Sequence, residues 1–393
     1  MTKLEQLIED LCPNGVKTVK LGDVGEFYGG LSGKTKEDFK DGNAKFITYK
    51  NIYANMALEL EVDDKVYVAE GEKQNTVQYG DVLFTGSSET PDECGMSSVL
   101  TTQTDEKLYL NSFCFGWRLY DKSLYLPDFL KHLFRCSAIR KEIGKTASGV
   151  TRFNVSKKKM AELQIPLPPL AVQSEIVRLL DKFTLYKSEL AAELAARCKQ
   201  YEHYRNQLLT FDDSVEWKKL GDVASIRTGT KPDLIITTKT DFEYINAGTT
   251  NSGYTNLANS DGDAITTPSR GQGGIGFVGY QRNPFWLGPL CYKIVSIENK
   301  LLTKYLYYYL VCHNDVILKL KNTGGVPALN RQDLIGIMIP IPPVEIQQHI
   351  ISTLDRFDAL CHDIREGLPA EIELRQKQYE HYRDKLLTFE AKG

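Results

Sequence analysis

The feature that most constrains this chain is an internal repeat, because a sequence that recurs in the same order has to build the same kind of object twice. LGDV at 21–24 returns at 220–223, SGVTRFN at 148–154 as GGVPALN at 324–330, and IPLPPLAVQSEIVRLLDKF at 165–183 as IPIPPVEIQQHIISTLDRF at 339–357. The tightest match is QYEHYRNQLLTF at 200–211 with QYEHYRDKLLTF at 378–389. Each half is thus a globular segment entered at LGDV, closed by a GxxxxN loop and an IPxPP turn, and followed by a helix. The turn is a firm boundary, since proline fixes its own φ, lacks a donor and pushes the preceding residue out of the helical region.

In the first helical segment Ile176, Leu179, Phe183, Tyr186, Leu190, Leu194, Tyr201, Tyr204 and Leu208 form an apolar seam. Ile350, Leu354, Phe357, Ile364, Leu368, Ile372, Tyr379, Tyr382 and Leu386 form the other. At 1.5 Å per residue the first helix would be about 55 Å long, more than one small core needs. Either each helix lies back on its own globule, or the two seams pair about a pseudo-twofold. Their near-identity between dissimilar globular segments favours pairing. The second copy holds four more residues, counting from Phe357 to Tyr379 against Phe183 to Tyr201. Gly367, Leu368 and Pro369 lie there, which predicts a kink or break.

Within the globular segments the signal changes to short β-prone runs between glycine and polar turns, such as 45–49, 81–84 and 263–266. Each segment closes with a helical stretch, 126–143 and 303–320. The expected fold is α+β: two globular domains alternating with two long antiparallel coiled-coil helical segments in a pseudo-twofold internal repeat. The expected boundaries are 1–165 with an N-terminal helix, 166–213 as first helical spacer, 214–340, and 341–393 as second spacer.

A length of 393 residues suits two cores of about 130–150 residues each. No run of about eighteen apolar residues offers a membrane span. The opening MTKLEQLIEDLCPNGVK carries charge through its apolar stretch and reads as mature structure, so a cytoplasmic location is expected. Eight cysteines without a CxxC pair fit reduced thiols. Cys312-His313 and Cys361-His362 are adjacent, whereas zinc ligands sharing an element usually stand about two to five residues apart.

The net charge of −3 is unusual for a nucleic-acid protein, but the charges are unevenly placed. Residues 131–159 hold nine Lys or Arg against one acid, and 299–331 hold five against one. The acids gather elsewhere, as at Glu59, Glu61, Asp63, Asp64, Glu70 and Glu72. A basic stretch alone is as readily a solvated face; recurrence at matching places in both copies favours a nucleic-acid partner.

Patterns that could suggest catalysis fail on context. Gly274, Gly276 and Gly279 make a GxGxxG, but Asn283-Pro284 and Gly288 forbid the helix that a cofactor site needs. A glycine-rich hairpin or a loop approaching DNA is the alternative. Asn283-Pro284-Phe285-Trp286 echoes an adenine-methyltransferase motif, yet lies too close to those glycines. Pro91-Asp92 with Asp105 and Lys107 has the residue types of a metal-dependent nuclease in a spacing common to any charged loop. His132, His203, His313, His349, His362 and His381 lack a Ser or Cys partner at motif spacing. His203 and His381 are equivalent in the repeat and suit packing or partner docking. No metal ligand or catalytic group is expected.

LCPNGVKTVKLGDV at 11–24, WKKLGDV at 217–223, GGVPALN, IPIPPVEIQQHIISTLDRF and GLPAEIELRQKQYEHYRDKLL at 367–387 together resemble the specificity subunits of type I restriction-modification systems. These segments frame the whole chain. The resemblance implies two target-recognition domains, each reading one half of a bipartite, asymmetric double-stranded DNA site. It implies helical segments that set the gap between the halves and dock two methyltransferase subunits, with motor-nuclease subunits joining them. No cofactor is then bound by this chain; S-adenosylmethionine, ATP and magnesium belong to the partner subunits, and no membrane is involved. Readers of one duplex face must stand roughly one helical turn, about 34 Å, apart. The dissimilar globular segments imply dissimilar half-sites.

On this reading phosphate contacts fall to Lys141, Lys145, Lys157, Lys158 and Lys159 in the first half and Lys319, Lys321 and Arg331 in the second. Base readout falls to loop polars: Lys50, Asn51, Ser87, Thr151, Arg152 and Asn154, then Lys231, Asn246, Arg270, Gln272 and Asn330. Asn154 and Asn330 share a repeat position and equally suit a cap or turn. Phe183, Tyr201, Tyr204, Phe357, Tyr379 and Tyr382 are the expected helix-seam or partner residues. Two other readings make different demands. A stand-alone adenine methyltransferase or nuclease would bind S-adenosylmethionine or metal, and a coiled-coil adaptor would show no salt-dependent DNA binding.

Overall fold

Runs such as VLFT at 82–85 and AITTP at 264–268 are buried at every residue, so each must be covered on both faces. The structure, a computed structural model, describes residues 3–271, 273–322, 325–362 and 367–389. It divides into two compact units, Met1–Glu189 with Ile372–Gly393, and Leu190–Glu371. The chain passes between them inside helices.

In the first unit β1 (Gly25–Gly29), β2 (Val82–Thr85), β3 (Ser97–Val99) and β4 (Cys114–Leu119) form an antiparallel sheet in the order β1-β4-β2-β3. Alternation sorts the side chains. Phe84 and Trp117 turn to a core shared with Phe129 and Phe134, where Phe84 and Phe134 meet edge-on at 5.2 Å. Leu83 turns to the opposite face, against Ile47, Ile52 and Leu110 of a second layer. Thr18–Lys20 pairs with Gln164–Pro166, tying the start of the unit to its end.

The second unit has β5 (Ala224–Thr228), β6 (Ala264–Pro268), β7 (Gly279–Gln281) and β8 (Cys291–Ser296), in the order β5-β8-β6-β7. Ile265 and Ile294 face a core with Tyr305 and Leu306. Here Glu216–Lys219 pairs with Met338–Ile341.

The expected closing helices are each broken in two. Pro127–Leu133 is followed by Ser137–Thr146 because Cys136 is extended (φ −71, ψ 150), and Thr303–Cys312 by Asn314–Lys319 because His313 leaves helical geometry (φ −109, ψ 34). The run at 45–49 is also shorter than its β-propensity suggests. Ala44–Ile47 is strand, and Thr48 then caps a helix, Tyr49–Ala54, by accepting from the Asn51 amide at 3.2 Å.

The first helical segment is α1, Leu170–Leu208. The second is two helices, α2 (Val344–His362) and α3 (Leu368–Leu386). Ile364 and the rest of 363–366 lie outside the described residues, while Pro369 sits in the first turn of α3, where its missing N–H is harmless. Within the first unit the early part of α1 packs antiparallel to α3: Phe183 stacks on Tyr382 at 5.2 Å and Lys187 donates to Gln376 at 2.8 Å. Within the second, the later part of α1 packs against α2, with Tyr201 and Tyr204 at 6.2 and 5.6 Å from Phe357. The helices also pack on the globules, through Ile176 and Leu180 in one core and Ile350 and Leu354 in the other. Tyr186, expected in the seam, is 54% exposed and does not belong to it. Among the described residues no helix is long and apolar enough to cross a membrane.

One buried amide in each unit joins helix to sheet. Gln173 donates to the carbonyls of Leu124 and Pro168 at 2.9 and 2.8 Å and accepts from the Leu126 amide at 2.9 Å. Gln347 does the same with Lys300, Pro342 and Leu302, at 2.7, 2.8 and 2.8 Å. Neither side chain reaches solvent. Leu126 and Leu302 each precede a closing helix, so the glutamine fixes where that helix starts. Truncation strands three buried partners. Gln173→Ala and Gln347→Ala should each destabilise their own unit by about 3 kcal/mol in urea titrations, whereas exposed glutamines should respond within about 0.5 kcal/mol.

Candidate nucleic-acid interface

In the first unit the turn after β2, the Tyr49–Ala54 helix and the 149–152 loop surround a groove of about 570 Å3. Its lining includes Tyr49, Tyr53, Ser87, Phe113, Thr151 and Arg152, together with Glu89 and Glu93. Two arginines outside its lining brace the segments beside it. Arg135 donates to the carbonyls of Ile52, Tyr53 and Asn55 at 2.9, 3.1 and 3.2 Å, and burial brings its pKa down to about 10. Arg140 holds the carbonyls of Asp92, Cys94 and Gly95 at 2.8, 2.6 and 2.5 Å. Tyr49 and Tyr53 stack at 6.2 Å; the Tyr49 hydroxyl donates to the Ser87 carbonyl at 2.9 Å and that of Tyr53 to Glu93 at 2.8 Å. The Tyr53 hydroxyl holds the Glu93 carboxyl below its ordinary value.

Arg152 is the cation this frame presents. Its Nε donates to the Ser87 hydroxyl at 3.0 Å and its guanidinium lies 5.8 Å from the ring centre of Phe113. Anchored at Nε, the fork keeps both terminal nitrogens for a ligand, the geometry that suits guanine O6 and N7 or a phosphate. Phe113 is 61% exposed beside it. Phe113, Tyr49 and Tyr53 were not among the sequence candidates; whether an aromatic lines a groove or fills a core is decided by packing.

The nine cations of 131–159 divide by environment. Arg135 and Arg140 are internal clamps, Lys131 pairs with Asp128 and Asp181 at 2.7 and 3.0 Å, and Lys145 pairs with Glu142 at 2.6 Å. Lys141, Lys157, Lys158 and Lys159 are exposed, as are Arg152, Lys50 and Thr151. Asn51 requires correction as a base reader: it is 7% exposed, and its amide donates to the Glu59 carbonyl at 2.8 Å and accepts from the Glu59 amide at 3.2 Å. Ser87, at 6% exposure, orients Arg152 rather than standing free. Asn154 is exposed on a short strand, its amide 3.5 Å from the Arg152 carbonyl.

In the second unit a cavity of about 340 Å3 is lined by Asn246, Asn251, Tyr280, Gln281 and Tyr307 among others. Asn246 is half-buried there and accepts from the Leu290 amide at 2.9 Å. Lys231 is exposed; Arg270 is exposed and bridges Ala328 through its backbone. Gln272 lies outside the described residues. Lys319 pairs with Asp315 at 2.7 Å, and Lys321 is half-buried. The Asn330 amide donates to Asp333 at 3.1 Å, and the Arg331 Nε donates to the Ile226 carbonyl at 3.1 Å, which ties that arginine to β5.

The expected seam residues come together within the units, and a polar group sits under one pairing. His132 is wholly buried, with Nε2 2.8 Å from Asp181 of α1 and Nδ1 2.9 Å from the Tyr379 hydroxyl of α3. A neutral ring that donates from Nε2 and accepts at Nδ1 satisfies both. In the second unit the same place is taken by Tyr308, which donates to Asp355 of α2.

Residues 13–200 and 213–374 match the family described as "Type I restriction modification DNA specificity domain", and the chain belongs to that family. It is 37% identical over 267 residues to the "Type I restriction enzyme EcoR124I/EcoR124II specificity subunit" of Escherichia coli, covering 60% of this chain and 64% of that one. The match therefore spans less than two thirds of that relative's length. It is 31% identical over 208 residues to the "Type I restriction enzyme MpnII specificity subunit" of Mycoplasma pneumoniae, covering 49% of this chain and 62% of that one. The fold is similar to the crystal structure of a type I restriction-modification system S subunit from M. genitalium, with TM-score 0.57, 17% identity, and 95% and 96% of the two chains covered. It is also similar to that of the HsdS subunit from Thermoanaerobacter tengcongensis, with TM-score 0.51, 19% identity, and 97% and 99% covered.

Burial pushes the His132 ring below its ordinary pKa. Above about pH 6.5 the ring is neutral both folded and unfolded; below it the unfolded chain takes up the proton first, so stability falls until the folded pKa is reached. Denaturant midpoints for the wild type should drop between about pH 7 and about pH 5.5, and His132→Gln should flatten that drop. Parallel curves for the two proteins would assign the loss to other groups.

Proposed function

We propose that this chain is the DNA-reading specificity subunit of a type I restriction-modification enzyme, with a target-recognition domain in each unit and no catalytic site of its own. Family membership supports the class. The observation that carries the reading to residues is Arg152, a cation held at Nε by Ser87 and backed by Phe113, with its terminal nitrogens presented to a groove. Such a fork reads guanine in the major groove, at about 1–3 kcal/mol of discrimination per contact. The exposed lysines 141, 157, 158 and 159 supply phosphate contacts through counterion release. In the second unit Arg270 and Lys231 take the corresponding tasks.

On this proposal the sites are double-stranded DNA, bipartite and asymmetric, because the residues lining the two grooves differ. The repeated helices set the gap between half-sites and dock two methyltransferase subunits, a pseudo-twofold arrangement that matches two nearly identical seams. Motor-nuclease subunits complete the assembly, in the cytoplasm. S-adenosylmethionine, ATP and magnesium act on those partners.

Co-expression with the methyltransferase partner and genome-wide mapping of methylated adenine tests the reading. The wild type should yield one motif with two specified halves around a fixed gap. Arg152→Ala should relax one half about tenfold or more and leave the other intact, while Arg270→Ala should relax the opposite half. Equal weakening on all sequences would make either residue a phosphate contact, and absence of any methylation motif would sink the proposal.

A further inference from the structure

The sheet of the second unit sets two cations side by side on one face. Arg227 of β5 lies directly opposite Lys293 of β8, on the face away from Ile226 and Ile294. Directly opposed like charges on one sheet face repel. Lys293 is only 5% exposed; its ammonium donates to the Asp261 carbonyl at 3.1 Å and stands 5.7 Å from the Phe285 ring centre. Among the described residues neither cation has a carboxylate within 4.0 Å. Burial, then the charge of Arg227, lowers the Lys293 pKa, with Asp261 offsetting part of this.

The first unit solves the same problem internally. There the corresponding sheet positions are Tyr28 and Gly116, which carry no charge, and the nearby Arg118 is neutralised by buried Asp81 at 2.9 and 2.6 Å. At the register position of Asp81 the second unit has Ala264, which carries no charge, and the neighbouring Asp263 accepts from the Tyr280 hydroxyl instead. Arg227 and Lys293 with Ser225 and Val295 line a pocket of about 190 Å3. It offers a guanidinium fork, the remaining ammonium hydrogens and a hydroxyl against one apolar wall. A desolvated cation without a counter-charge is costly to a fold, and an anion seated between the two would relieve both the burial and the repulsion.

We infer that the Ser225–Arg227–Lys293 pocket is an oxyanion site that takes a phosphate group. The phosphate has two chemical sources, a nucleic-acid backbone or the free anion; the first rests on the DNA-reading proposal, the pocket itself does not.

The test uses the full chain, with Arg227→Gln as an exposed-site variant and Lys293→Met as a buried one that keeps the apolar stem. Inorganic phosphate at fixed ionic strength should raise the melting temperature of the wild type where chloride does not. The apparent phosphate affinity should be at least tenfold weaker in either variant. In parallel, the salt dependence of binding to a mixed-sequence DNA duplex is measured; a slope reduced by about one in Arg227→Gln supports the site with the backbone as its source. A lost phosphate response with an unchanged slope supports it with the free anion as its source. Absence of a phosphate response in the wild type together with unchanged slopes in the variants overturns the inference. A chain that binds no duplex at all sinks only the DNA-reading proposal, and the phosphate response then decides the pocket.

Discussion

The arrangement of each unit depends on one local constraint: the helix that leaves the sheet after the IPxPP turn is fixed to it by a buried glutamine. Gln173 and Gln347 each join the proline turn, the loop before the closing helix and the first turn of the long helix through three hydrogen bonds. An amide buried without these partners would be strongly unfavourable, so the exit direction of the helix is narrowly set. Every seam contact further along the helix inherits that direction.

Each seam is amphibious, apolar towards its antiparallel partner and towards its own globule at once. Ile176 and Leu180 serve the core while Phe183 meets Tyr382, and Ile350 and Leu354 serve theirs while Phe357 meets Tyr201 and Tyr204. Asp181 and Asp355 then mark where a globule touches its helix, accepting from His132 and Tyr308 respectively. The two units thus use one scaffold with different chemistry at the same contact, a titratable ring in one and a phenol in the other.

Charge in this protein is meaningful only after internal pairs are removed. Arg135 and Arg140 are framework, binding carbonyls that shape the groove, whereas Arg152 is held at one nitrogen and open at two. The contrast between Arg118, paired with Asp81, and Arg227 and Lys293, which form no ion pair among the described residues, follows the same logic. A binding surface in such a fold is recognised by which cations the fold leaves without an acid.

The repeat, the helical segments and the proline boundaries were legible in the sequence because they rest on local rules: periodicity, backbone restriction and near-identity of paired stretches. The breaks at Cys136 and His313 were not, since no proline or glycine stands at either residue to announce them. Among the site residues, sequence found Arg152 by its place in a loop but also chose Asn51, whose burial comes from the Glu59 backbone eight positions away. It missed Phe113, whose exposure only packing reveals, and the Arg227–Lys293 pairing, which needs β5 and β8 in register. The sequence by itself determined that the same ordered set of segments occurs twice and that a proline turn precedes each long helical stretch. Tertiary structure alone decided which polar side chains keep free donors, because a donor's partner is set by distance in space, and for Arg135 and Arg152 those partners stand tens of residues away along the chain.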